Sequence, residues 1–205
     1  MSRSDADRRV EKSRLLIVEG VDDQRFFDAL LKHLTMPGVQ TIPMNGKAKL
    51  RSLLGALTKD PGFPTVLAMG LVVDADQDSG AAFQSVAGTL AYVGLPTPVQ
   101  PNQIASGVPN VSVLVIPPGS QGSLEDLCLA SVQDDPAMPC LRSFFDCLRH
   151  LDSVPRRDAK AQVQVFLSTR PKSLRLGEAA EAGYWPWDSR AFDAPREFLT
   201  RLFTS

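Results

Sequence analysis

With 205 residues, 43% of them hydrophobic, and a formal net charge of −1, the chain has enough apolar material for one compact domain, or for one domain with a small appendage. The near-neutral balance excludes a general electrostatic pull toward polyanions, so contact with nucleic acid would need a local basic face or a metal. Cys128, Cys140 and Cys147 are an odd set without a CxxC pair, the start is polar, and no apolar run approaches the roughly 20 residues that cross a bilayer. A reduced, cytoplasmic protein without membrane contact is expected.

Residues 1–13 are polar and read as a flexible N-terminus. Leu15-Leu16-Ile17-Val18 then reads as a buried parallel strand, about 14–18, stopped at Glu19-Gly20. Phe26, Phe27, Leu30, Leu31 and Leu34 follow at helical spacing, with Asp22 and Asp23 suited to the first turn. A second strand at about 39–43 leads through Asn45-Gly46-Lys47 into a helix carrying Leu50, Leu53, Leu54 and Leu57; Pro61, Gly62 and Pro64 break the chain. Thr65 to Val73 is the most apolar run and predicts a central strand, and a helix from about Ser79 to Val93 returns across the sheet. The stretch from Gly94 to Asn110, rich in Pro, Gly, Gln and Asn, reads as a long loop.

Val111 to Ile116 supplies a fourth strand, stopped by Pro117-Pro118-Gly119, and Gly122-Ser123-Leu124-Glu125-Asp126-Leu127 opens a capped helix. The remainder is expected to be helical, with Leu141, Phe144, Phe145 and Leu148 on one stripe and Val163, Val165, Phe166 and Leu167 on another. The three cysteines sit among apolar residues and read as small core groups. His33 and His150 lack zinc-ligand spacing and are expected to be structural. The Tyr184-Trp185-Pro186-Trp187 aromatics could stack on bases, but packing of the C-terminal tail is the preferred reading. The expected organisation is a flexible 1–13, an α/β domain over 14–135 and a helical extension over 136–205 packed on it.

The acids stand where such sheets carry ligands, at the C-terminal ends of parallel strands. Glu19, Asp22 and Asp23 follow the first strand; Asp74, Asp76 and Asp78 follow the central one. In an extended segment side chains i and i+2 share a face, so Asp74 and Asp76 could meet one ion with Glu19 opposite. Hard oxygen ligands suit Mg²⁺ or Mn²⁺, and several carboxylates at one spot resist ionisation unless a cation compensates. Asp22 and Asp23 could instead serve the helix dipole, and Asp78 could cap the helix at Ser79. Glu125 and Asp126 are first-turn acids after the fourth strand, and Glu125 is taken as a further ligand candidate. For a cation that steadies phosphate charge, Lys47, Lys160 and Lys172 are candidates; Lys160, in Arg156-Arg157-Asp158-Ala159-Lys160, is the choice, and of the two readings of Asn45-Gly46-Lys47, a phosphate cradle or a turn, the turn is preferred.

Val18-Glu19-Gly20 followed by Asp74-Ala75-Asp76 in these strand contexts resembles a Toprim domain over about residues 14–135. The resemblance implies a Rossmann-like α/β fold with a central, mostly parallel sheet of about four strands flanked by helices, and a helical C-terminal extension. It makes Glu19 a metal ligand or proton-transfer group and Asp74 and Asp76 the metal-binding pair. Asp23 resembles the second acid of the nucleases of the overcoming-lysogenization-defect type, which helps hold a second metal; Lys160 falls where that branch places a lysine. With Gly122-Ser123-Leu124-Glu125-Asp126 and the tail from Gly177-Glu178-Ala179-Ala180 to Trp185, the whole chain is similar to a small stand-alone prokaryotic Toprim-like family of unknown function. A topoisomerase is not expected, since Tyr92 and Tyr184, the two tyrosines, sit in no plausible companion domain; nor is a primase, whose accessory domains have no room here.

The expected function is a Mg²⁺- or Mn²⁺-dependent phosphodiesterase on nucleic acid, DNA rather than RNA. Glu19 and Lys160 would be catalytic, and Glu19, Asp23, Asp74, Asp76, Asp78 and Glu125 would be metal ligands. The alternatives are nucleotidyl transfer at the same acids, or a non-catalytic Toprim scaffold or regulatory module partnering an ABC-type ATPase, in anti-phage defence. No GxxxxGK[ST] occurs, so such an ATPase would be a separate chain.

Overall fold

Alternation of side chains along parallel strands fixes the layering. The computed structural model describes residues 9–151 and 158–204. Its five-stranded sheet has the order β2-β1-β3-β5-β4, with β1 (Arg14–Val18), β2 (Val39–Pro43), β3 (Ala68–Asp74), β4 (Ile104–Ala105) and β5 (Asn110–Ile116). All neighbours pair in parallel except β4, which runs antiparallel to β5 at one edge.

Even-numbered β1 residues Leu16 and Val18, with Val72, Leu114 and Ile116, face one core; odd-numbered Leu15 and Ile17, with Met69, Leu71, Val73, Val113 and Val115, face the other. On the first face lie α1 (Val21–His33), α4 (Leu124–Ser131), α5 (Met138–His150), α6 (Asp158–Ser168), α7 (Leu176–Glu181) and α8 (Asp193–Phe203). The second is covered by α2 (Leu50–Leu57) and α3 (Ser79–Tyr92). With both faces covered, the central strands are buried throughout and can be uniformly apolar. Gly70 admits α8 to the sheet: a Cβ there would lie 3.0 Å from Leu202 and 3.1 Å from both Leu16 and Phe198.

The structure matches the α/β expectation and refines it. A fifth strand, β4, emerges from the stretch read as loop; Ser112, buried in β5, donates its hydroxyl to the Gln103 carbonyl at 2.8 Å and ties that segment to the edge. Phe63–Thr65 form a 3₁₀ turn, so β3 starts at Ala68 and runs on to Asp74. The reading of all three cysteines as core groups is corrected: Cys128 is buried, whereas Cys140 and Cys147 are exposed on α5. Phe144, expected on the buried stripe, is 48% exposed. Met138, Leu141 and Phe145 define the inward face of α5, and helical rotation carries Cys140, Phe144 and Cys147 off it.

Trp185 is buried, its indole N–H donating to the Leu176 carbonyl at 3.1 Å, and Trp187 packs edge-on against Phe26. These aromatics therefore join the core. Within the segment expected to be flexible, residues 1–8 lie outside the described residues, while the backbone N–H groups of Glu11 and Lys12 donate to Gln40 Oε1. Arg156 and Arg157 also lie outside the described residues. No helix among the described residues is long and apolar enough to cross a membrane.

Candidate functional site

Parallel pairing brings the two acidic clusters together. Ile17 pairs with Leu71, so two residues further on, just past the end of β1 at Val18, Glu19 comes alongside the end of β3. The Asp74 backbone N–H donates to Glu19 Oε1 at 2.8 Å, joining residues 55 positions apart. From the next strand over, Asp74 Oδ1 accepts the backbone N–H of Leu124 at 3.0 Å, the first residue of α4. A capping box fixes that helix start: Ser123 and Asp126 satisfy one another's backbone and side-chain groups. The acids thus hang on strand ends and helix starts that are rigidly hydrogen-bonded.

Asp76 departs from the extended geometry expected of it. Its φ of 50° is left-handed, and it exchanges backbone hydrogen bonds with Gly122, both at 2.8 Å. The Asp76 carboxylate meets Lys47. Asp78 lies in β conformation and its Oδ1 accepts the Ala81 N–H at 2.9 Å, capping α3; no bond ties it to the other acids.

Lys47 is the residue the sequence reading placed in a turn and the structure places in the site. Its Nζ donates to the Asp74 carbonyl at 2.8 Å and to Asp76 Oδ2, and stands 3.2 Å from Glu19 Oε1. The path is set by backbone: Met44 N–H donates to Val18 O and Gly46 N–H to Glu19 O, and Gly46, at φ 105°, turns the chain so that Lys47 points back over the strand ends. The signal available in sequence was a Gly-Lys directly after a strand neighbouring the glutamate strand. Lys160, chosen from sequence, sits at the rim with Nζ 4.0 Å from Glu125 Oε1. Lys172 is exposed.

Electrostatics divide the acids into two lobes. Glu19 and Asp76 are ion-paired with Lys47. Asp23, Asp74 and Glu125 form the other. Burial pushes the Asp74 carboxyl up to about 8, reinforced by the charges of Glu19, Asp23 and Glu125 and opposed by the Leu124 N–H. Asp23 rises to about 7, chiefly by burial and then by Glu19 and Glu125, against the N–H groups of Asp23 and Gly20. Glu19 is raised as well, because burial outweighs the Asp74 N–H and the Lys47 ammonium. Burial opposes charge on Lys47, yet its bonds to Asp76 and Glu19 win and raise its pKa.

Among the described residues no three carboxylate, imidazole or thiol groups form a ready-made cage for an ion. The donor set nevertheless suits a hard cation: Glu19, Asp23, Asp74, Asp76 and Glu125 offer carboxylate oxygens, and the Lys47 ammonium already sits between Glu19 and Asp76 as a positive stand-in. An open cavity of about 350 Å³, lined by Ser79, Gly80, Phe83, Gln100, Asn102 and Gly119, flanks the start of α3 beside Asp78.

Fold and site together define an open, mostly parallel α/β protein with an acidic crevice at the C-terminal edge of its two central strands. Over residues 13–204 the chain belongs to the family described as "Protein of unknown function (DUF3226)". It is similar to solved structures of the C-terminal region of the OLD protein from Xanthomonas campestris pv. campestris. The one phased with mercury is 14% identical with a TM-score of 0.43, covering 84% of this chain and 86% of that one. The one phased with iodine is 15% identical with a TM-score of 0.41, covering 90% and 85%. The one phased with platinum is 17% identical with a TM-score of 0.39, covering 90% and 83%. No curated protein matches the chain.

Proposed function

We propose that the protein is a divalent-metal-dependent phosphodiesterase of Toprim type acting on nucleic acid, DNA rather than RNA. The observation that carries this reading is the gathering of Glu19, Asp23, Asp74 and Glu125, half-buried carboxylates where burial first, and then the neighbouring acids' charges, raise Asp74 to about 8 and Asp23 to about 7. Such a cluster disfavours folding unless it serves a cation, and Mg²⁺ or Mn²⁺ is the cation its oxygens suit.

Asp23, Asp74 and Glu125 would hold one ion, and Glu19 with Asp76 a second. When bound, the ions supply an attacking water of lowered pKa and charge to offset the leaving oxygen. Glu19 has Oε1 committed to the Asp74 N–H and Lys47, which leaves Oε2 for a ligand or a proton. Lys160, half exposed beside Glu125, would steady a phosphate oxygen. Asp78 is spent on its helix cap.

The test is incubation of the purified protein with linear, supercoiled and single-stranded DNA and with RNA, in Mn²⁺ and then in EDTA. DNA cleavage that needs Mn²⁺ and drops roughly 100-fold or more in Asp74→Ala is the expected result. Cleavage surviving that substitution, or none on any substrate, would sink the proposal. One observation favours a second reading: Lys47 pairs with both Glu19 and Asp76, as a non-catalytic Toprim scaffold partnering a separate ABC-type ATPase would allow. Failure to bind Mg²⁺ or Mn²⁺ below millimolar in calorimetric titration would select it.

A further inference from the structure

We propose that Lys47 is a displaceable internal counter-ion: its ammonium occupies a cation position among Glu19, Asp76 and the Asp74 carbonyl, and it must swing out before a divalent cation can take the Glu19 and Asp76 oxygens. This rests on the metal-dependent reading above.

Three features of the lysine support exchange rather than a fixed structural bridge. It reaches the crevice from outside, on a segment that follows β2, and its side chain is 37% exposed, so a path into solvent exists. The oxygens it binds come from Glu19 and from the β3 end, the two segments whose acids the chemistry needs. Its anchoring is in the backbone, through Gly46 N–H to Glu19 O; the four-carbon stem beyond can rotate without breaking that turn. Asp76 is 66% exposed, so its partner can leave without stranding a charge in the interior.

Competition follows from thermodynamic reciprocity. If the ammonium and the divalent cation use the same oxygens, each weakens the other by the same factor. Removing the ammonium leaves the acids repelling one another, and an added cation then gains what the lysine formerly supplied. A lysine that merely braced the loop would act in the opposite sense: its loss would loosen Glu19 and Asp76 and weaken cation binding.

Calorimetric titration of Mn²⁺ into the whole protein at one fixed pH, comparing wild type with Lys47→Met and Lys47→Arg, separates the two. Lys47→Met should bind Mn²⁺ at least about fivefold more tightly, within the usual range of coupling between ligands, and Lys47→Arg should match wild type or bind more weakly. Thermal melts give a second readout: Mn²⁺ should raise the melting temperature of Lys47→Met by more than it raises that of wild type. Lys47→Gln, neutral but still hydrogen-bonding, serves if the methionine variant does not fold, and should show the same direction. Equal or weaker Mn²⁺ binding in both neutral variants while wild type binds would overturn the displacement alone. Absence of binding in every protein would overturn the metal reading and the displacement with it.

Discussion

At Asp74 burial weighs most against the charged carboxylate, three acidic neighbours add to its effect, and the Leu124 backbone N–H opposes it. The consequence for stability has a definite sign. An unfolded Asp ionises near pH 4, whereas folded Asp74 holds its proton up to about 8 and Asp23 to about 7. Between those limits the native chain binds more protons than the unfolded chain, so stability is greatest at the acidic end and is lost as pH rises through the folded values. In EDTA the melting temperature should therefore fall between pH 5 and pH 8. Asp74→Asn, whose amide oxygen can still accept the Leu124 N–H, should flatten that slope and stabilise the protein at pH 8 by roughly 0.5–2 kcal/mol while abolishing cation binding. A melting temperature independent of pH in wild type would contradict the proposed electrostatics. At this scale Glu19 and Asp74 were legible, since each ends an apolar run that could only be a buried strand. Lys47 was named as a candidate cation but passed over for Lys160, because its place depends on Gly46 bonding to the neighbouring strand end, a contact between segments that local spacing does not encode. Asp76 was misjudged for a related reason: its left-handed backbone is imposed by the exchange with Gly122.

Among the elements, α7 bears on the site although none of its acids belongs to the cluster. Gly177 lies against the first turn of α1, where a Cβ would come 2.6 Å from the Asp22 carbonyl and 2.7 Å from Arg25 Cβ. Arg25 in turn pairs with Glu178 at 2.9 Å. The close approach seats the helix that carries Asp23. Gly177→Ala should force α7 off α1, costing about 1–3 kcal/mol by overpacking, and should weaken Mn²⁺ binding through Asp23 although residue 177 touches no ligand. Urea unfolding and calorimetry on the one variant check both parts; an unchanged midpoint would show that the contact relaxes freely. Periodicity foretold α1 because Phe26, Phe27, Leu30 and Leu31 repeat so clearly, but nothing local in Gly177 distinguishes a packing glycine from a turn glycine.

For the molecule as a whole, the sheet order explains why the sequence was readable to the extent it was. Parallel strands linked by helices produce apolar runs ended abruptly by an acid, Gly or Pro, and these signals place β1, β2 and β5 within a residue. The two-residue β4 has no such signature; it exists because β5 offers an edge and Ser112 a hydroxyl. The C-terminal helices were expected to pack on the α/β part, and α4 to α8 share one continuous core with α1 and one face of the sheet.

The split fate of the cysteines makes the native chain its own spectroscopic ruler. Cys140 and Cys147 are exposed while Cys128 is buried, so a thiol reagent should modify two groups in the folded protein and the third only after denaturation. The two reactive sulfurs lie seven residues apart on α5, about 10 Å along the helix axis, which gives two fixed vantage points without any substitution. Nitroxides or fluorophores placed there would be relaxed or quenched by paramagnetic Mn²⁺ according to distance, so one labelled sample could report whether, and on which side of the crevice, an ion settles.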